Sequence, residues 1–234
     1  MNVLALDTSS EWCSAALWVD GRVLCREELA GQRHSELILP MIDGLLRESG
    51  LALRALDGVA FAAGPGSFTG LRIASGIAQG LALGTGMPVL PVGTLEALAE
   101  ASGAQRAIAA LDARMDEIYH AAYVRAGEHW REVHAPSLCR PEEAPLAEGG
   151  GWTGCGNAFV VYAQILHSRY ADAMESVRSE LIPHAREIAG IGARALAAGR
   201  GLDAALAAPL YVRDKVALSV AERAARRQAT QVRS

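Results

Sequence analysis

The chain has 234 residues, with 22 Lys and Arg against 26 Asp and Glu, for a formal net charge of −4. Hydrophobic residues make up 51% and charged residues 21%, so the chain reads as globular, with length enough for one large domain or two small ones. A free-standing nucleic-acid binder carries a basic excess that displaces counterions from phosphates; this chain has none, so any nucleic acid it serves is expected to be held mainly by a partner. The four cysteines, Cys13, Cys25, Cys139 and Cys155, are scattered without metal-ligand spacing, and the N-terminus enters a strand pattern with no basic leader. Reduced thiols and a cytoplasmic location are the expectation. The apolar run 73–92 contains Gln79, glycines and Pro88, and is a poor membrane span beside the roughly 20 apolar residues a bilayer requires.

Asn2 to Leu6 is an apolar strand closed by the turn formers Asp7-Thr8-Ser9-Ser10. Cys13 to Val19 and Arg22 to Glu28 alternate around Asp20-Gly21, a strong signal for a two-residue hairpin because both positions need positive φ. From Ser35 to about Glu48 the apolar residues Leu37, Ile38, Met41, Ile42, Leu45 and Leu46 recur at helical spacing, with Pro40 expected to kink the first turns. Gly58 to Ala63 is a strand ending in Gly64-Pro65-Gly66, followed by a helix dotted with glycines to about Gly84. Pro88 to Val92 is another strand, and Thr94, read as an N-cap, opens a helix to Ser102. Three antiparallel strands followed by crossover helices and parallel strands is the order of a ribonuclease H-like lobe.

After Gly103 the pattern partly restarts. Ala107 to Leu111, closed by Asp112, echoes Leu4 to Leu6 closed by Asp7; Glu117 to Val124 and Glu128 to Val133 follow as strands around Ala126-Gly127. Residues 135–152 read as an irregular excursion, and helices are expected over 159–168 and 184–198. The whole is therefore an α/β chain of two ribonuclease H-like lobes, an internal duplication whose second copy is shorter and degraded. The expected division is 1–103 for the first lobe, 104–220 for the second, with its last segment returning to the first, and 221–234 as a mobile basic tail.

The stretch Gly64-Pro65-Gly66-Ser67-Phe68-Thr69-Gly70 resembles a phosphate loop but lacks the lysine of G-x-x-x-x-G-K-[ST], and the chain's only lysine is Lys215. Its last glycine also falls one residue late for G-x-G-x-x-G. Gly76, Gly80 and Gly84 are spaced four apart, a stripe that costs helix stability and lets another backbone approach, either from a neighbouring helix or from another chain. No two of the six histidines are paired at i, i+3 or i+4, so neither a helix-borne metal site nor a catalytic residue is visible. Asp7, Thr8 and Asp112, at the ends of the first strand of each lobe, are the candidates for holding Mg²⁺ and phosphate across a cleft, although Asp and Thr at strand ends also cap turns. An ATP-dependent actin-like kinase or acyltransferase using Asp7 and Asp112 is the enzymatic alternative, and a metallopeptidase a weaker one.

Asp7-Thr8-Ser9, His34-Ser35-Glu36 with Leu39-Pro40, the run from Gly64 to Arg72, Leu111 to Met115 with Glu117-Ile118-Tyr119, and Tyr211 to Ala217 together resemble the TsaB (YeaZ) family. Members of that family are required for threonylcarbamoyladenosine (t6A) modification of tRNA position 37. The resemblance implies an actin-like (ASKHA) fold and a non-catalytic paralogue of the transferase TsaD. Where TsaD carries two metal-binding histidines four residues apart, this chain has Thr94 and Leu98. It further implies TsaD and TsaE as partners, a homodimer when TsaD is absent, tRNA bound only through the complex, and no cofactor of its own, with ATP or ADP at the assembled interface. The implied contact residues are Gly70, Arg72, Ile73, Gly76, Ile77 and Gly80, with Leu37, Met41 and Leu45 beside them.

Overall fold

The structure, a computed structural model, describes residues 1–213. Strands β1 (Asn2–Asp7), β2 (Trp12–Val19), β3 (Arg22–Leu29), β4 (Gly58–Gly64) and β5 (Val89–Gly93) form one sheet in the order β3-β2-β1-β4-β5. Strands β6 (Arg106–Asp112), β7 (Ile118–Ala126), β8 (His129–Cys139), β9 (Trp152–Cys155) and β10 (Met174–Arg178) form a second, in the order β10-β9-β6-β7-β8. Numbered within its own half, each sheet reads 3-2-1-4-5, with two antiparallel pairings followed by two parallel ones. The duplication expected from the sequence is therefore present at the level of topology, and both lobes are α/β.

Local chemistry accounts for most of the elements. Asp20 and Gly21 adopt φ of 47° and 89°, as their hairpin requires. Helix α1 (His34–Ser49) runs through Pro40 as one helix, with Pro40 on its exposed side. Helix α2 (Phe68–Thr85) begins at Ser67, whose hydroxyl accepts from the Gly70 amide, and α3 (Thr94–Ser102) follows β5.

Several expectations need correction. Thr94 is not the N-cap of α3, a position held by Gly93; its buried hydroxyl donates to the Pro65 carbonyl at 2.5 Å. The helix expected over 159–168 is two short ones, α4 (Ala158–Val161) and α5 (Ala163–Arg169). Part of the irregular stretch is strand, because β8 continues to Cys139, and Pro136 is tolerated there since β8 is an edge strand. Strands β9 and β10 have no counterpart in the sequence reading. The second copy keeps all five strands and loses the long helix between its third and fourth, where only a 3₁₀ turn (Pro141–Glu143) remains. The expected tail, 221–234, lies outside the described residues. Among the described residues, no helix is long and apolar enough to cross a membrane.

Each sheet is buried on both faces. On the first, Leu4 and Leu6 point towards α1 and α2 and pack with Ile38, Ile42, Leu45 and Ala74. The alternate residues Val3 and Ala5, with Ala16, Ala60 and Ala62, face α6 (Ala185–Ala197) and meet Ile188 and Ala189. That face is alanine-rich because α6 comes very close: a Cβ at Gly192 would lie 2.6 Å from that of Ala60. On the second sheet, Ile108 and Ala110 pack with Phe159 and Leu166 of the short helices, while Ala107, Ala109 and Tyr123 pack with Leu95 and Leu98 of α3. The two lobes thus exchange helices. Helix α3 follows the first sheet in sequence and covers the second, and α6 follows the second and covers the first. A boundary at residue 103 separates the sheets but not the layers that cover them.

The exchanged helices meet at Glu100 of α3. Its carboxylate accepts from Arg194 of α6 at 2.9 Å, from Arg125 of β7 at 2.7 Å and from the Trp130 indole of β8 at 2.6 Å, while Arg125 also lies over the Trp130 ring. Burial pushes the Glu100 carboxyl up, but the two arginines and the indole outweigh it and hold it below its ordinary value. A carboxyl lowered on folding contributes stability above its unfolded value, and that contribution disappears as pH falls through the folded one. Replacing Glu100 by Gln should destabilise the chain by about 3 kcal/mol at neutral pH, since two half-buried guanidinium groups lose their counter-charge. The difference between the two proteins in denaturant melts should shrink as pH is lowered below about 4.5.

Candidate functional site

The loop after β4 packs directly on the turn after β1. The Thr8 hydroxyl donates to the Gly70 carbonyl at 2.6 Å, and the Ser67 amide donates to the Ser9 carbonyl at 2.7 Å. A side chain on Gly66 would lie 2.6 Å from the Ser9 carbonyl oxygen, and one on Gly70 would overlap that of Thr8. These two glycines therefore serve backbone-to-backbone packing rather than a phosphate. The amides of Ser67, Gly70 and Leu71 are already bonded within the protein.

Asp7, Thr8 and Asp112 are correspondingly turned inward. Asp7 is 1% exposed and accepts from the Ser9 amide, and burial pushes its carboxyl above the usual range. Thr8 is fully buried. The Asp112 carboxylate accepts from the Arg114 amide and the Tyr162 hydroxyl and pairs with the Arg114 guanidinium at 3.2 Å. The two strand ends differ as parts of the cation and phosphate site read from the sequence: Asp7 Oδ2 and the Ser9 hydroxyl are buried without a hydrogen-bond partner among the described residues, whereas Asp112 is engaged by Arg114 and Tyr162. Among the described residues no group of three His, Cys, Asp or Glu side chains is placed to hold a metal.

A cleft of about 220 Å³ does lie between the lobes, but other residues line it. Pro65, Gly66, Phe68 and Leu71 form one wall, Ala113, Met115 and Tyr119 the other, and 210–213 run along its side. The hairpin joining β6 to β7 has three consecutive residues with left-handed backbone, Arg114, Met115 and Asp116, at φ of 62°, 59° and 62°. None is glycine, so this loop carries a cost of about 1 kcal/mol or more per residue. Arg213 answers it: its guanidinium donates to the Ala113 carbonyl at 3.0 Å and to the Met115 sulfur at 3.4 Å, and pairs with Glu117 at 2.8 Å. Neither this hairpin nor Arg213 was singled out from the sequence, although both lie in motifs that carried the family resemblance.

Helix α2 presents a second feature. Its inner side, Leu71, Ala74, Ser75, Ala78 and Ala82, is buried against β4 and its neighbours, whereas Arg72, Gly76, Gly80 and Gly84 are exposed. A Cβ built on Gly76, Gly80 or Gly84 meets nothing within 4 Å. Among the described residues, no neighbouring helix uses the glycine stripe. Ile73 and Ile77 flank it half-buried, as does Leu37 on α1. At the head of the helix the Arg72 guanidinium lies 4.1 Å over the Phe68 ring and donates to the Tyr211 hydroxyl. Three of the contact residues named from the resemblance need correction: Met41 and Leu45 belong to the chain's own core, and Gly70 is buried against Thr8. A helical apolar stripe records burial without saying by what.

The family model for tRNA N6-adenosine threonylcarbamoyltransferase, TsaD, matches residues 27–219. The tRNA threonylcarbamoyladenosine biosynthesis protein TsaB of Escherichia coli is 36% identical over 225 residues, 93% of this chain and 96% of its own length. The chain belongs to the TsaB (YeaZ) family. The Haemophilus influenzae TsaB is 47% identical over 156 residues, a match that takes in 62% of this chain and 66% of the relative. YeaZ from Pseudomonas aeruginosa superposes with a TM-score of 0.79 at 38% identity, covering 90% of this chain and 99% of that one. A second Pseudomonas aeruginosa structure, described as similar to the peptidase YeaZ, gives 0.84 at 38%, with 91% and 99% covered. The two-lobed actin-like fold expected of a TsaB relative is thus the fold found. Thr94 and Leu98, at the positions where the resemblance places TsaD's histidines, are fully buried, the first bonded to Pro65 and the second packed on the second sheet.

The two kinds of glycine in α2 should respond oppositely to alanine. Gly70→Ala should destabilise by about 3 kcal/mol, because its methyl collides with backbone that cannot move aside. Gly76→Ala and Gly80→Ala should each stabilise the monomeric chain, at dilutions where it does not self-associate, by about 1 kcal/mol, since helix propensity rises and the methyl enters open space. Chemical denaturation of the three variants distinguishes them.

Proposed function

We propose that this chain is a non-catalytic scaffold subunit of t6A biosynthesis, one that pairs with and activates TsaD to modify tRNA position 37. The observation that carries the reading is the exposed glycine stripe of α2. Three glycines weaken a helix by about 1 kcal/mol each, and the chain itself draws nothing from them. A close-packed partner helix is the compensation they fit. Arg72 over Phe68 adds an arginine and an aromatic ring, residue types that anchor protein interfaces.

The absence of catalysis in this reading rests on Thr94 and Leu98, the first bonded to Pro65 and the second packed in the core, so neither is left to hold a metal where TsaD carries its histidines. The reading assigns this chain no cofactor of its own and places ATP or ADP at the assembled interface. TsaE joins the complex, the same face forms a homodimer when TsaD is absent, and tRNA is held through the complex because this chain has no basic excess. The setting is cytoplasmic, where tRNA is modified.

Gly80→Trp tests the face. A Cβ there meets nothing within 4 Å among the described residues, so far-UV circular dichroism should hold, while the homodimer, co-elution with TsaD and t6A content in a complemented strain should all be lost. Co-elution at wild-type levels would sink the proposed surface.

A further inference from the structure

The segment after α6 does not simply trail away; it crosses from one lobe to the other. It first pairs with β5, Leu202 and Val89 exchanging amide-to-carbonyl bonds at 2.8 and 2.9 Å, and then follows the flank of α2, where the Gln79 amide donates to the Ala207 carbonyl at 2.7 Å. It then bonds β4 edgewise, the Leu210 amide donating to the Ala63 carbonyl at 2.6 Å, and Gly64 leaves no room for a side chain against the Leu210 carbonyl, 2.7 Å away. Tyr211 braces the head of α2, accepting from Arg72 at 3.1 Å and packing on Phe68 with ring centres 5.6 Å apart. Two residues later Arg213 is in the second lobe, 15% exposed, with its guanidinium spread over the left-handed hairpin.

We propose that residues 207–213 are an interlobe strap that couples the width of the cleft to the arrangement at the head of α2. One end is a latch, Arg213 on Ala113, Met115 and Glu117; the other is a brace, Tyr211 on Arg72 and Phe68. The latch bears on a loop whose backbone is costly, so the loop holds its shape only while its hydrogen bonds persist. They include the Ala113 amide to the Glu117 carbonyl, the Glu117 amide to the Arg114 carbonyl, the Arg114 amide to Asp112, and the Arg213 guanidinium to the Ala113 carbonyl. The brace bears on the first turn of α2, where the Ser67 and Gly70 amides are bonded to Ser9 and Ser67. Only one residue separates Tyr211 from Arg213, so release of either end frees the other, and coupling of this kind is reciprocal. The strap also runs along the side of the cleft, whose two walls are the elements it grips. The coupling is a property of the isolated chain and is independent of any partner.

Amide hydrogen exchange on the full-length protein tests it from both ends. In Arg213→Ala, the Ala113 and Glu117 amides should exchange at least tenfold faster, and the Ser67 and Gly70 amides in the other lobe at least threefold faster. In Tyr211→Phe, which removes one hydroxyl and keeps the ring, the Ala113 and Glu117 amides should again exchange at least threefold faster. Arg213→Lys keeps the charge beside Glu117 without the fork and should fall between wild type and Arg213→Ala. Acceleration confined to the mutated end in both Arg213→Ala and Tyr211→Phe overturns the proposal. If Arg213→Ala does not fold, Tyr211→Phe and Arg213→Lys decide it by the same criterion, because both are conservative.

Discussion

The exchange of α3 and α6 between lobes is the constraint on which the rest of the molecule depends. Each sheet has one face covered by helices from its own half and the other by a helix from the opposite half, so neither sheet has a complete core by itself. Glu100 fixes the meeting point, with partners from β7, β8 and α6 on one carboxylate. This leaves the outer layers, α1 and α2 in the first lobe and α4 and α5 in the second, with their far sides open. Helix α2 is thus free on one side, and its inner side is anchored to β4.

The loop between β4 and α2 shows how similar glycine spacing can serve different physics. In a phosphate cradle, glycines bring backbone amides to an anion; here Gly66 and Gly70 bring backbone against the carbonyls of Ser9 and Thr8. The lobe's first turn and α2 are thereby locked together, and the aspartate that closes the first strand is buried beside that contact. Both lobes end their first strand in an aspartate, but only Asp112 is spent locally, on Arg114 and Tyr162; Asp7 accepts from the Ser9 amide through one oxygen and keeps the other without a partner among the described residues.

Much of this was legible in the sequence because it is written in short-range chemistry. Asp20-Gly21 specified its hairpin, the 3.6-residue period located α1, and Gly64-Pro65-Gly66 marked the turn into α2. The remainder depends on distance or on unusual backbone. Met-Glu-Ser-Val-Arg, the sequence of β10, is short and mostly polar, so no period reveals it. The hairpin at Arg114 to Asp116 is left-handed without a glycine to announce it. Arg194 and Glu100 are far apart in the chain, and nothing local predicts that they meet. Met41 and Leu45 lie on a stripe that fits a core and a partner equally well until the neighbouring elements are in place.

The exchanged helix also sets an order of events during synthesis. The first sheet is made from residues 2–93, yet the alanine-rich face that α6 covers stays without its lid until residue 197 has left the ribosome. The first lobe therefore cannot complete its fold ahead of the second, as an independent N-terminal domain would. Both halves must be consolidated in one late, long-range step, and a chain stopped before α6 exposes the face of a sheet built from Val3, Ala5, Ala16, Ala60 and Ala62. Incomplete copies of this protein are thereby marked for aggregation or degradation by an apolar surface that the finished molecule never shows.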